Sequence, residues 1–307
     1  MRFSFLKTLT SLMRKDDSIL VLTADMGYGV FEELEKEFPK RFLNTGITEQ
    51  STVSMAAGLA LSGYKVFFYA QAPFATMRCF EQIRLDAAYN HTNIKIIGTA
   101  SGFSSNQLGT SHFSVEDIAL MRLLPNLTIF TPGDPFEAEW ATKMAYKTNG
   151  PVYLRLSKSG SAVIHKQSIS IPIGKGIKIC DGNQLTIFVS GNLLPMAQNI
   201  VSSLNKKNIQ ACLISMPTIK PLDKEIIVSE AKRTKTIFTL EDHSIIGGLG
   251  SAVAEVLAEL GEKVNFLRLG VPDKFTHIVG SEKHLLASNG LSEKKIIKNI
   301  LNKLSQK

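Results

Sequence analysis

The stretch Asn44-Thr45-Gly46-Ile47-Thr48-Glu49-Gln50 delivers an acid to the start of an apolar run, Ser54-Met55-Ala56-Ala57-Gly58-Leu59-Ala60. Gly46 suits a turn, and Glu49 stands where a helix would begin. A carboxyl at such a boundary has two readings. It can complement the positive end of the helix dipole, or it can hold a proton or hydrogen bond for chemistry in a desolvated place. Further groups able to do chemistry gather in three other places. Phe74, Arg78, Phe80 and Arg84 share one stretch, and the two arginines read as surface or interface residues. His112 lies in a loop rich in glycine, serine and asparagine, where function concentrates. Arg155 and Lys158 close the apolar segment Pro151–Leu156, and open α/β sheets form their crevices at such strand ends. Two cations there could hold a phosphate or a carboxylate.

The elements that must position these groups alternate between apolar strands and helical stretches, which predicts an α/β fold with parallel sheets covered on both faces. Strands are expected at Ile19–Thr23, Lys65–Ala70, Ile94–Gly98, Leu127–Phe130 and Pro151–Leu156. Helices are expected from Glu49, over Phe80–Tyr89 and over Glu137–Tyr146. Ser157 to about Lys178 is irregular and reads as an interdomain connection. The pattern then restarts, with strands at Leu185–Val189, Ala211–Ile214, Lys235–Leu240 and Val264–Leu269 and a helix over Leu194–Leu204. Two doubly wound domains are therefore expected, residues 1–165 and a smaller unit of 166–307.

Composition narrows the function classes. The chain has 307 residues, 44% hydrophobic and 20% charged, enough for two full cores and unlike a disordered protein. Its net charge of +8 is spread out, apart from lysines near residues 294–298 on the polar face of a terminal amphipathic helix. No aromatics are interleaved with them, which argues against nucleic-acid binding. The three cysteines, Cys79, Cys180 and Cys212, form no CxxC pair and fit a reducing compartment, and no spacing suggests a metal site. The N-terminal residues lack a signal-peptide pattern and no apolar run could cross a bilayer, so a cytoplasmic protein without membrane contact is expected. Gly248-Leu249-Gly250-Ser251-Ala252-Val253 departs from a dinucleotide fingerprint at Val253 and reads as a close-packed helix start.

Several of these segments, in order, resemble the C-terminal half of transketolase and its thiamine-diphosphate-dependent relatives, over nearly the whole chain. They are Gly46–Gln50, Phe74–Arg84, Ser111–Asp117, Leu123–Asn126, Gly150–Leu156 and Glu241-Asp242-His243 with Gly247–Gly250. The resemblance implies a pyrimidine-binding domain followed by a transketolase C-terminal domain. It implies that Glu49 bonds a ring nitrogen of the cofactor's aminopyrimidine and so promotes loss of the thiazolium proton, a task that an apolar setting would favour by keeping a proton available. Phe74 would stack on that ring, with Phe80 and Ile47 beside it. His112 would face substrate, with Gln107, Arg155 and Lys158 as further substrate contacts. Read alone, Phe74 and Phe80 could be core residues among 17 phenylalanines, and His112 a structural histidine. His243 fits either a subunit interface or the rim of the site.

Two departures qualify the resemblance. Asn106-Gln107-Leu108-Gly109 replaces an acidic Gly-Glu-Asp-Gly, and Ala100 stands for a family histidine, so a pentose-phosphate substrate is in doubt. The Gly-Asp-Gly…Asn element that holds diphosphate and Mg²⁺ in the family is missing; Asp181-Gly182-Asn183 reads as a turn. A separate subunit is expected to supply it, in an α2β2 assembly. The implied reaction is transfer of a two-carbon ketol unit from a ketose to an aldehyde. Two alternatives are a β subunit of a 2-oxo acid dehydrogenase first component and a degenerate subunit that only scaffolds a partner.

Overall fold

The computed structural model describes residues 1–158 and 162–305. Two sheets organise them. The first is built from β1 (Ile19–Thr23), β2 (Phe42–Asn44), β3 (Lys65–Gln71), β4 (Ile94–Thr99), β5 (Thr128–Phe130), β6 (Val152–Arg155) and β10 (Thr218–Lys220), in the order β10-β5-β6-β4-β3-β1-β2. All pairings among β1 to β6 are parallel. Strand β3 shows why its faces are both dry. Val66, Phe68 and Ala70 point into one core and Phe67 and Tyr69 into another, as a period of two requires.

Helices α1 (Arg2–Met13) and α6 (Pro135–Lys147) cover the second of these faces through Phe5, Leu9, Met13, Trp140 and Ala141. The first is covered by α3 (Glu49–Leu61) and by the helical stretch from Phe74 to Tyr89, through Val53, Ala56, Ala57, Ala75, Cys79 and Ile83. That stretch is helical as expected over its second part. It winds with π geometry at Phe74–Arg78 and Ile83–Tyr89, separated by one α turn, α4 (Phe80–Gln82). The short helices α2 (Glu32–Glu37) and α5 (Asp117–Arg122) complete this half.

The second sheet is made of β7 (Ile177–Cys180), β8 (Leu185–Val189), β9 (Ala211–Ser215), β11 (Thr236–Ser244) and β12 (Asn265–Val271), in the order β12-β11-β8-β9-β7. On one face lie α7 (Leu194–Asn205) and α11 (Glu293–Leu304), with α10 (Glu282–Ser288) nearby. On the other lie α8 (Lys224–Thr234) and α9 (Leu249–Leu260), whose Ile227, Ala231, Leu249 and Val253 belong to the same core as Val53 and Phe68 of the first half. Two edge strands depart from the parallel expectation: β7 and β10 are antiparallel to their neighbours.

Strand β10 extends the first sheet beyond the strands expected for it, the last of which was Pro151–Leu156. It comes from the second half of the chain, and Lys220 Nζ reaches back to the carbonyls of Arg122 (2.9 Å) and Leu124 (2.5 Å). The connection is irregular as expected, except that β7 begins within it and residues 159–161 lie outside the described residues. It is fastened rather than loose. Ile164 and His165 donate backbone N–H groups to Asp134 (3.0 and 2.9 Å), and Trp140 Nε1 donates to the Ile171 carbonyl (3.0 Å). None of the described helices is long and apolar enough to cross a membrane.

Candidate active site

The carboxyl edge of the first sheet gathers the chemistry-bearing residues. Gly46 takes φ +71°, a left-handed conformation that glycine adopts without strain, and lets the chain turn from β2 into α3. The turn is pinned to β1: Thr45 donates its N–H to the Thr23 carbonyl (2.8 Å), and the Asn44 side-chain oxygen accepts from the N–H groups of Asp25 and Gly46 (3.0 Å each). Glu49 is then the first residue of α3 and only 4% exposed. Its surroundings are not simply apolar, as the flanking sequence suggested. Arg78 Nη1 lies 2.7 Å from Glu49 Oε2. Sequence reasoning placed Arg78 at the surface; it is 40% exposed at the side chain and is the counter-charge of the buried acid.

Phe74 and Arg78 are four residues apart on one helical turn and therefore meet. The Arg78 guanidinium carbon stands 4.3 Å from the centroid of the Phe74 ring, a cation–π contact. The His112 imidazole packs against the same phenyl ring, centroids 5.1 Å apart and planes at 73°. Ser111 Oγ hydrogen-bonds His112 Nδ1 at 2.9 Å. Glu49, Arg78, Phe74 and His112 thus form one unbroken run of contacts, although 63 residues separate its ends.

The loop that carries His112 is clamped from both sides. Gln71, at the end of β3, donates from Nε2 to Ser105 Oγ (2.7 Å). From the second domain, Gly280 donates its N–H to the Asn106 carbonyl (3.2 Å), and Ser244 donates to the Val115 carbonyl (2.7 Å). The Thr110 hydroxyl donates to the Thr276 carbonyl (2.5 Å). Gly102 takes φ +58°, and a Cβ there would fall 2.0 Å from Asp242 Oδ2, so only glycine lets the loop press on β11.

Arg155 corrects a second expectation. It ends β6 but does not face a crevice; it is 3% exposed and its donors are spent inside the protein. Nε donates to Asp117 Oδ2 (2.8 Å), Nη1 to Asp242 Oδ1 (2.6 Å) and Nη2 to the Ser114 carbonyl (3.0 Å). The two carboxylates hold its pKa well above the usual arginine value. Arg155 is a buried interdomain tie that also anchors the His112 loop.

His243 serves neither an exposed interface nor a rim. It is fully buried, with Nδ1 2.8 Å from the Ser244 carbonyl and Nε2 accepting the Ala119 N–H at 3.2 Å. Burial lowers its pKa and favours the neutral ring these partners require. Glu241 accepts the N–H groups of Leu249 and Gly250 (2.7 and 2.8 Å), which makes Gly248–Gly250 the close-packed helix start that the sequence indicated.

A small cavity of about 160 Å³ opens beside the loop. Its wall includes Arg2, Tyr28, Gln71, Ala100, Ser105, Leu108 and Lys158. Lys158 is exposed at the mouth, and Arg2 Nε is buried with no hydrogen-bond partner among the described residues. Two cations at a partly closed hollow suit an anionic group. Arg2 escaped sequence reasoning, although a cation ahead of an amphipathic helix was visible.

The remaining residues separate from the cluster. Ile47 is 73% exposed on the turn before α3, and Gln107 is exposed on the loop. Phe80 packs against the core and lines an open apolar groove of about 420 Å³ with Arg84, Leu85, Tyr89 and Leu123. That position favours packing over a ring contact beside Phe74.

An α/β chain of two domains, with a buried acid and an aromatic face at the carboxyl edge of a largely parallel sheet, carries these groups where open α/β sheets form their ligand crevices. Residues 1–162 match the transketolase pyrimidine-binding domain and residues 174–296 the transketolase C-terminal domain. The chain belongs to the transketolase family. It is 35% identical over 302 residues to one of the subunits of the apulose-4-phosphate transketolase of Phocaeicola vulgatus, covering 98% of this chain and 96% of that one. A solved structure described as a split gene transketolase, inactive beta4 tetramer, superposes with TM-score 0.89 at 36% identity, over 98% of this chain and 97% of that chain. The transketolase of Campylobacter jejuni shares the fold at TM-score 0.82 and 18% identity, and this chain spans 46% of its length.

Proposed function

We propose that the chain is the pyrimidine-holding subunit of a split, thiamine-diphosphate-dependent transketolase-like enzyme that moves a two-carbon ketol unit from a ketose to an aldehyde. The observation that carries this reading is Glu49, buried at the start of α3 and in line with Phe74 and His112. A buried carboxyl and a flat aromatic face are the two features an aminopyrimidine needs, so the residues fit the cofactor. Thiamine diphosphate, when bound, would supply the electron sink for carbon–carbon bond cleavage.

The chain's own residues take the remaining roles. Glu49 would hydrogen-bond the ring nitrogen and control its proton. Phe74 offers the stacking face. His112 holds or moves a proton on a substrate hydroxyl, steadied by the clamped loop. Arg2 and Lys158 hold an anionic end of the substrate, a class to which the phosphorylated sugar in the Phocaeicola relative's name belongs. Leu108 and Ala100, the two departures from the family pattern, both line that hollow, which supports an altered sugar specificity.

Diphosphate and Mg²⁺ are assigned to a partner chain, because the sequence holds no Gly-Asp-Gly…Asn element. Exposed apolar residues along α3 and its neighbours support that partner: Met55 (43%), Leu61 (71%), Tyr89 (80%) and Leu123 (71%). An α2β2 assembly follows if each partner completes one site.

The test is Glu49→Gln in the chain reconstituted with its partner. Turnover of ketose and aldehyde should fall by about 10²- to 10⁴-fold, the usual worth of one proton-handling group, while assembly by size exclusion is unchanged. Undiminished turnover in a correctly assembled variant rules the mechanism out.

A further inference from the structure

Both features an aminopyrimidine would use are already engaged. The Arg78 guanidinium lies over the Phe74 ring at 4.3 Å and donates to Glu49 Oε2 at 2.7 Å. The guanidinium is planar, presents its faces for stacking and its edges for hydrogen bonding. In this place it makes the same two contacts, a stack on Phe74 and a hydrogen bond to Glu49, that a bound ring would make. Two flat groups cannot share one face of a phenyl ring and one carboxylate oxygen. His112 makes a further contact with that ring, with centroids 5.1 Å apart.

We propose that Arg78 is an internal stand-in for the aminopyrimidine: it fills the ring's place in the free subunit and is displaced when the cofactor arrives. The inference rests on the thiamine-diphosphate reading above. The arginine has a way out, because its side chain is 40% exposed while Glu49 is 4% exposed. Its benefit is that Glu49, the buried first residue of α3, never stands without a partner. Its cost is that cofactor must compete with an intramolecular contact, so the apparent affinity is the intrinsic affinity reduced by the fraction of open sites. The π-type turn at Phe74–Arg78 carries both groups, four residues apart.

Isothermal titration of thiamine diphosphate with Mg²⁺ into the reconstituted two-chain complex tests this, alongside thermal melting of the isolated chain. Arg78→Met should bind the cofactor about tenfold more tightly, because the competitor is gone. The same substitution should strand Glu49 and so lower the melting temperature of the isolated chain, and Glu49→Gln added to it should restore that temperature. Arg78→Lys keeps the counter-charge without the flat stack, so it should melt near the wild type and still bind more tightly. A merely structural arginine would lower the melting temperature without raising affinity, and a permanent partner of bound cofactor would give weaker binding in Arg78→Met. Unchanged or weakened binding in both variants, with the wild-type complex binding normally, overturns the displacement. A wild-type complex that binds no thiamine diphosphate overturns the underlying reading and this inference with it.

Discussion

Replacing Arg155 by leucine separates a structural tie from a ligand contact. The side chain is 2% exposed, and its partners Asp117 and Asp242 are 0% and 1% exposed. Leucine fills part of the volume but leaves two carboxylates in a dry seam, and Asp117 Oδ1 and Asp242 Oδ2 already lack hydrogen-bond partners among the described residues. Breaking a buried pair by removing one partner costs about 3–5 kcal/mol, while the Ser114 carbonyl keeps the Gly102 N–H at 2.8 Å. Against a total stability of about 5–15 kcal/mol, that is about a fifth or more of what holds the chain together. In urea the unfolding midpoint should fall by about 1 M or more, given slopes of about 1–3 kcal/mol per molar. The triple variant Arg155→Leu, Asp117→Asn, Asp242→Asn should recover most of the loss, because it removes the uncompensated charge. An Arg155→Leu protein that unfolds with the wild type, yet shows a raised KM, would refute the reasoning and return Arg155 to the substrate.

Two further outcomes are expected. Lys158→Ala and Arg2→Ala should each raise KM for a phosphorylated substrate about 10- to 100-fold with kcat little changed, the signature of lost uniform binding at about 1.5–3 kcal/mol per charged hydrogen bond; steady-state kinetics on phosphorylated and neutral sugars would show it. Lys95 is buried on β4 against the Thr148 and Gly150 carbonyls (2.7 and 2.6 Å), and burial pulls its pKa down from 10.5 to about 7. Between those values the unfolded chain binds the extra proton, so Lys95 makes stability rise with pH from about 7 to 10.5. The urea midpoint of the wild type minus that of Lys95→Met should rise with pH across that window, and a pH-independent difference would rule the lysine out.

Much of the fold was legible because the longer central strands, such as β1, β3 and β8, are largely apolar runs, and runs of that length punctuated by turns have few other uses. Strand β10 escaped because Thr218-Ile219-Lys220 is three residues between Pro217 and Pro221, too short for any period, and its partner β5 lies about ninety residues earlier. The π winding of Phe74–Tyr89 was invisible since apolar residues three and four apart fit either helix. In the candidate site, Glu49, Phe74 and His112 were found from their motifs, and the structure brings them into one chain of contacts. Arg78 is exposed, as expected of a surface or interface residue, but its contact with Glu49 was missed because such an arginine looks the same in sequence whether it meets water or a buried acid. Arg155 was misjudged for the opposite reason. The rule about strand ends pointed to a crevice, while the acids that claim it, Asp117 and Asp242, lie 38 and 87 residues away and leave no local trace.

The antiparallel strand donated across the seam bears on where such a protein could ever be divided. Cutting between the halves would strip β5 of its edge neighbour and leave its N–H and C=O groups bare, an invitation to pair with stray chains. It would also open the shared core in which Phe68 and Val253 are both sealed. A division of the chain between β5 and β10 would therefore have to keep the two pieces associated to preserve that edge and that core.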